Sequence, residues 1–393
     1  MRSSKAIVVG AGIGGLTAAH ALRRIGWQVT IYEQAPVIAP VGAGLAIAPN
    51  AVKALNHLGL GDALRSRGLR QDGLEIRLRR GKRVTHLPAA EIERRYGAPF
   101  YALHRAEMHR LLTAGLDARI LRTGHRATSV TTRADSATVS FRTATDTVSE
   151  TADLVVAADG VGSVLRTALL PAYPGPDYAG YTVWRGIVPA ARSAALHRSP
   201  ILTETWGAGA RFGVAAINDG QLYWFAGESV PEHAAPERRL DLLADRFRDW
   251  HDPIPALLAA TPEDILLRHD VYYLRARLPA FVRGRVALLG DAAHAVTPDI
   301  GQGACLAIED AVTLAATIER SGTTDGLHEY DTIRRPRTQR MARSSGRLGH
   351  VLQTRNRVGA HVRDAVASVI PRAVLLNVAG TAFAWNPPLG GKC

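Results

Sequence analysis

Residues 6–33, AIVVGAGIGGLTAAHALRRIGWQVTIYE, limit what this chain can fold into more than any other stretch. The apolar run Ala6–Val9 leads into Gly10-Ala11-Gly12-Ile13-Gly14-Gly15. An Ala/Leu-rich helical pattern follows, then a second run, Val29–Tyr32, that ends at Glu33. The pattern predicts strand, tight turn, helix and strand, the arrangement of a dinucleotide-binding unit. Gly10 permits the turn, Gly12 lets backbone approach a pyrophosphate, and Gly15 lets the helix close on the strand. N–H groups at the helix start, including those of Ile13 and Gly14, then face the phosphates at the positive end of the helix dipole. Glu33, 21 residues after Gly12, stands where a ribose hydroxyl needs an acceptor, with Gln34 beside it. A βαβ unit that uses its glycines only for packing is the competing reading.

The net charge of +13 raises the question of nucleic acid. Only Lys5, Lys53, Lys82 and Lys392 are lysines, so 48 − 4 = 44 of the basic residues are arginines. They are scattered and often neighbour Asp or Glu, and no basic block forms a nucleic-acid patch. The surplus charge suits attraction of an anionic ligand such as a nicotinamide cofactor. Two cysteines, Cys305 and Cys393, make neither a CxxC nor a metal spacing, which points to a reducing cytoplasm. No run approaches twenty apolar residues, so no membrane span is expected.

Along the chain, Val41–Asn50 is a glycine-rich loop running into a helix near Ala51–Leu58, and Leu74–Leu78 with Arg83–Leu87 reads as a hairpin. Asp153–Ala158 is a buried strand that ends at Asp159-Gly160. Between Tyr178 and Ser229 the pattern becomes β-rich and aromatic, as in an antiparallel sheet, and a helix follows at Arg239–Trp250. Arg285–Asp291 returns to the buried-strand style, a long helix begins near Gly303, and the chain from Tyr330 on reads as helices with an arginine-rich face and an apolar stripe. The expected organisation is α/β: a Rossmann-like cofactor domain (1–72, 98–172 and 266–330) interrupted by an antiparallel β-sheet domain (73–97 and 173–265), with a C-terminal helical segment over 331–393.

Two further glycine–aspartate turns complete a constellation: Asp159-Gly160-Val161-Gly162-Ser163-Val164-Leu165-Arg166, and Gly290-Asp291-Ala292-Ala293-His294 followed by Pro298-Asp299-Ile300-Gly301-Gln302-Gly303-Ala304. In order and spacing, the three motifs resemble those of the class A flavoprotein monooxygenases, the single-component aromatic hydroxylases of the p-hydroxybenzoate hydroxylase fold. The resemblance covers at least residues 5–320. It implies FAD held by Gly10, Gly12, Ile13, Gly14, Gly15, Glu33, Gln34, Gly44, Leu45, Arg105, Asp159, Asp291, Pro298, Gly301, Gly303 and Ala304. Asp291, at a strand end, suits the ribityl hydroxyls; the helix opening at Gly301–Ala304 suits negative charge at the flavin N1/O2 edge. A turn that anchors the neighbouring helix is the close second reading of Asp159. Cys305 replaces an asparagine common in relatives, and reads as a small buried residue.

The resemblance also implies a reaction: NADH or NADPH binds transiently and reduces FAD, O2 forms a C4a-hydroperoxide, and one oxygen atom enters an aromatic or polycyclic small molecule by hydroxylation or epoxidation. Arg185, Pro298 and Tyr223 are the catalytic candidates; Tyr181, Arg211, Phe212, Tyr223 and Phe225 are the candidate substrate contacts. Tyr223 and Phe225 share one face of a strand and Trp224 takes the other. His86, His104, Tyr181 and Tyr223 all qualify as a general base and none stands out. His294 reads as a packing or capping histidine near the pocket mouth. The expected protein is a monomer or homodimer. A flavin-dependent reductase of the geranylgeranyl-reductase kind, or a dinucleotide-binding sensor without turnover, are the alternatives.

Overall fold

A computed structural model describes residues 3–38, 42–196, 199–234 and 240–388. Val41, Arg239 and Cys393 therefore lie outside the described residues.

The apolar runs become the centre of a six-stranded sheet ordered Val282–Arg283, Val286–Leu288, Leu154–Ala157, Lys5–Val9, Gln28–Tyr32 and Leu121–Arg122. Its middle strands are parallel and in register, with Val8 beside both Val156 and Ile31, and Val156 beside Ala287. Parallel strands in register end at one edge, so the three glycine-bearing turns emerge side by side. Helix Ile13–Arg24 packs on this sheet and against the long helix Gly303–Leu352, which is interrupted at Gly322 (φ +75°).

A second, seven-stranded sheet forms a roof. Its order is Leu267–Tyr273, Asp177–Val188, Leu222–Glu228, Ala210–Ala216, Ile201–Trp206, Gly73–Leu78 and Arg83–Pro88. The sheet domain expected to end at residue 265 therefore continues through Tyr273, because Leu267–Tyr273 pairs along Asp177–Arg185. One roof face carries Phe212, Trp224, Val188 and Leu222 and is closed by helices Leu240–Phe247 and Ile254–Ala260. The first of these is shorter than the Arg239–Trp250 expectation. The opposite face looks toward the cofactor edge, linked by a small antiparallel sheet of Gly44–Ile47, Phe100–His104 and Leu69–Gln71. Helices Arg357–Val369 and Arg372–Phe383 close the described chain. No single described helix is long and apolar enough to cross a membrane.

A buried charge network locks the cofactor edge. Arg334, fully buried, reaches Glu309 at 2.5 Å and Asp310 at 2.6 Å. Asp310 also accepts from the Gly290 N–H at 3.0 Å and pairs with His294 at 2.5 Å. Glu309 takes Arg337 and the amide of Asn50, and that amide also donates to Gln302 at 2.9 Å. Burial alone would raise the Asp310 carboxyl, but His294, Arg334 and the two hydrogen bonds outweigh it and bring it down to about 2.

Removing Arg334 takes the shared cation from two buried carboxylates, leaving Glu309 to Arg337 and Asn50, and Asp310 to His294 and the Gly290 N–H. Arg334→Met is therefore expected to cost about 3–5 kcal/mol in denaturant unfolding. Because Asp310 is depressed when folded, its contribution is complete above the ordinary carboxylate range and is lost as pH falls toward about 2. An acid titration of wild-type stability, flattened in the Arg334→Met protein, checks both statements.

Candidate active site

The opening turn is built by exclusion. Gly10 adopts φ +102°, where a Cβ would sit 2.3 Å from the Ala158 carbonyl oxygen. At Gly15 a Cβ would sit 2.0 Å from the Gly10 oxygen, so only glycine lets this helix close on its strand. At Gly12 a Cβ meets nothing within 4 Å, so space opens in front of the helix start. No side chain caps that helix, and its first N–H groups are left facing the gap. Glu33 accepts from Ala11 N–H (2.8 Å) and Ala35 N–H (2.9 Å), which fixes its carboxylate and leaves lone pairs for further donors.

The other two turns border the same gap. Asp159 spends both oxygens inside its own turn, accepting from Ser163 Oγ at 2.6 Å and Leu165 N–H at 3.1 Å. That is the anchoring role, and its carboxyl contributes by stiffening the Gly160–Gly162 backbone, beside which space is open. Arg166, buried, donates to the carbonyls of Val161 and Ala292 and so ties the second turn to the third. Asp291 opens onto the groove; desolvation raises its carboxyl, opposed by the charges of His294 and Arg105. At Gly301 (φ +62°) space is again open, and the helix that begins at Gly303 also lacks a side-chain cap. His294 is buried and packs beside Phe281, away from any pocket mouth. Cys305 is buried 3.8 Å from the Ala46 carbonyl, and burial pushes its thiol up to about 12, so it is no nucleophile.

These observations fit FAD. A Cβ-free cradle, two uncapped helix starts and carboxylates at two strand ends match a pyrophosphate, an electron-rich ring edge and sugar-type hydroxyls respectively. The edge is long enough to need all three turns.

The roof supplies the opposing wall. Arg211 pairs with Asp299 at 2.6 Å and Glu204 at 3.3 Å, and its guanidinium lies over the rings of Tyr181 (5.5 Å) and Phe225 (5.9 Å). Tyr181 donates its hydroxyl to Asp299 at 2.8 Å. The roof is thereby fastened to the Pro298–Ile300 turn. Desolvation pulls the Arg211 guanidinium down, but Glu204 and Asp299 more than restore it; Glu204 itself is raised by burial. Further along the same face, the Tyr223 ring covers the Gly44 backbone so closely that a Cβ there would fall 2.1 Å from the ring. Burial raises the Tyr223 hydroxyl, against the charge and hydrogen bond of Arg185. Arg185 also donates to His269 Nδ1 at 3.2 Å. Burial, then Arg185 and Arg105, lower the His269 imidazole, which keeps it neutral with Nε2 bearing the hydrogen.

Three expected substrate contacts need correction: Arg211, 1% exposed and paired with Asp299 and Glu204, fastens the roof instead of meeting a ligand, and Phe212 and Tyr181 are also turned to other tasks. Phe212 is fully buried on the far face, stacked on Trp224 (5.3 Å) and edge-on to Phe247, because its register places it opposite Ala226 rather than Phe225. Trp184 shares that face. Tyr181 lies on the near face but is 2% exposed with its hydroxyl committed, so it buttresses Asp299 instead of touching a ligand. Among the base candidates, His104 Nδ1 caps a helix by accepting from Ala106 N–H, and His86 faces Glu75 across the roof's far side. Sequence reasoning missed Glu204, Asp299, Arg166 and His269. Asp299 and Arg166, each inside a motif already singled out, carried a signal; Glu204 and His269 did not. A polar cavity of about 360 Å³ lined by His104, Glu107, Arg110 and Asp219 takes in one residue named from the sequence, His104, whose Nδ1 is already committed to its helix cap.

The two phenylalanines separate structure from ligand contact. Phe212→Ala is expected to cost about 3–5 kcal/mol in thermal unfolding and leave KM nearly unchanged in the surviving fold. Phe225→Ala is expected to raise KM with a smaller stability loss; equal stability losses would refute the assignment of faces.

The FAD binding domain family matches residues 3–345. The chain is 37% identical over 363 residues to the aurachin C monooxygenase/isomerase of Stigmatella aurantiaca, covering 91% of this chain and 92% of that protein. It is 38% identical over 335 residues to an FAD-dependent urate hydroxylase of Klebsiella pneumoniae, covering 84% and 85%. The crystal structure of Klebsiella pneumoniae HpxO with FAD and uric acid superposes with a TM-score of 0.90 at 32% identity, over 98% of this chain and 97% of that one. The chain belongs to the class A FAD-dependent aromatic hydroxylases of the p-hydroxybenzoate hydroxylase fold, monooxygenases that spend NAD(P)H and O2 to insert oxygen into aromatic substrates.

Proposed function

We propose that this enzyme adds one oxygen atom to a small planar hydroxy- or oxo-substituted aromatic or N-heteroaromatic ring, bound between the roof and the Gly44–Leu45 strand. The observation that carries this reading is the grouping of Tyr223, Phe225 and Arg185 on the roof face opposite Gly44 and the Pro298 turn. Relatives named for 3-amino-4-hydroxybenzoate, urate and 6-hydroxynicotinate support a compact ring with ionisable substituents. When bound, FAD supplies the activation of O2 that NAD(P)H powers.

The chain's own residues bind, orient and exclude water. Gly10–Gly15 and Gly160–Gly162 hold the pyrophosphate, with Glu33 and Gln34 at the adenosine end. Asp291 and Arg105 take the ribityl region, and Gly301–Ala304 with Leu45 and Pro298 frame the ring. Tyr223 accepts a hydrogen bond from Arg185 and so points its own O–H at the substrate. Its raised affinity for that proton keeps it a donor across neutral pH. Arg185 and the Nε2–H of His269 favour negative charge that develops on the substrate's oxygen, in a wall that Phe225 keeps apolar. Arg211 and Tyr181 hold Asp299, and through it Pro298, at a fixed distance from the roof. We expect the protein to work as a monomer or homodimer in the cytoplasm, with the sheet domain extended to Tyr273.

The test is aerobic NAD(P)H oxidation by the yellow holoenzyme across hydroxylated benzoates, pyridines, purines and quinolones. The expected result is substrate-stimulated oxidation with a product heavier by one oxygen; stimulation without any oxygenated product, or turnover without O2, would defeat the proposal. Tyr223→Phe is expected to lower kcat/KM about tenfold, the worth of one hydrogen bond in a dry site, with the FAD content unchanged.

A further inference from the structure

The final helices bury what is ordinarily exposed. In Arg357–Val369 it is Arg363 that turns inward, donating to the carbonyls of Gly207 and Leu352 and lying 5.5 Å from the centre of the Trp206 ring. Outward stand Val358 (72% exposed), Val362 (57%), Val366 (52%) and Val369 (77%). Their spacing of four, four and three residues puts them on one stripe. Leu348 and Val351 lead into the stripe and Val374 and Val378 continue it on the next helix. The inner side is firmly seated: Tyr96 donates its hydroxyl to the Leu376 carbonyl, and Phe383 packs edge-on against Tyr96 and Phe100. The two helices meet at a 99° bend, and both pack against the strand Arg83–Pro88.

Unpaired positive charge lies on the helix that leads into this stripe and beside its first residue. From Thr332 to Pro388 the sequence has ten arginines and one acid, Asp364; Arg334, Arg335, Arg337, Arg363 and Arg372 are spent on Glu309, Asp310, Asp331, Asp364 and Glu91. Arg340, Arg343 and Arg347 fall on one helix face, where Arg277 joins them in crowding Arg343. These and Arg357 have no acidic partner among the described residues.

We propose that this face docks on an anionic lipid bilayer. The valines enter the boundary between headgroups and acyl chains, and the arginines meet lipid phosphates. Arg357 adjoins Val358 at the head of the stripe, and Arg340 and Arg347 share by helical spacing the face of Val351, so exposed apolar side chains and unpaired cations occur together, as such a surface requires. A second copy would set the unpaired Arg340, Arg343, Arg347 and Arg357 of one molecule against those of the other, and a nucleic acid would leave the valines uncovered.

Full-length holoenzyme is floated with vesicles of phosphatidylcholine alone or mixed with phosphatidylglycerol. The expected result is flotation with the anionic vesicles, little with the neutral ones, and a decline at high salt. The double variant Val362→Asp/Val366→Asp is expected to lose about tenfold of the bound fraction while keeping flavin absorbance and basal NAD(P)H oxidation. Arg340→Ser/Arg343→Ser/Arg347→Ser is expected to lose the preference for anionic vesicles. Failure of the holoenzyme to float with anionic vesicles overturns the proposal. Unaltered flotation of the valine variant does so too, as does a concentration-dependent dimer that this variant dissolves.

Discussion

The pairing of Arg334 with Glu309 and Asp310 is the contact on which the cofactor edge depends. The two acids are consecutive on the first stretch of the long helix and Arg334 lies beyond its break at Gly322. One guanidinium therefore holds the two halves of the helix together. Asp310 then fixes the Gly290 turn through its N–H, and Glu309 fixes Asn50, which in turn holds Gln302 beside the helix start. Hydrophobic packing alone would leave these turns free to slide. A buried charge that must be satisfied from fixed directions does not.

A second clamp acts between layers. The parallel sheet and the roof are separate hydrophobic assemblies, and a reaction between them requires a constant gap. Asp299, held by Arg211 and Tyr181 from the roof, sits between Pro298 and Ile300 of the cofactor edge, and Gly349 of the long helix leaves room only for its carboxylate. The same carboxylate is therefore part of both layers. Tyr223 against Gly44 makes the second point of contact, and the Arg185–His269 pair lies on the same wall.

Both clamps join residues far apart in the chain, which explains what could be read early. The opening βαβ unit, the parallel core and the aromatic antiparallel sheet were legible because strand runs and glycine spacings are local properties. So was the division of Tyr223 and Phe225 from Trp224, since alternation on one strand is fixed by geometry. Phe212 was misread because its face depends on its register with Leu222–Glu228, a non-local property. Leu267–Tyr273 was placed outside the roof for a similar reason: its mixed polar pattern makes sense only beside Asp177–Arg185. His269 and Glu204 gave no local signal at all.

The amino-acid sequence by itself determined three glycine-bearing strand ends and hence a site for a dinucleotide-type cofactor, because steric permission at Gly10 and Gly15 is written in residue type. Only the tertiary structure decided which side chains face that site. Pairing register and the search of buried charges for partners are settled between distant segments, and these brought Arg211 to Asp299 and turned Phe212 away.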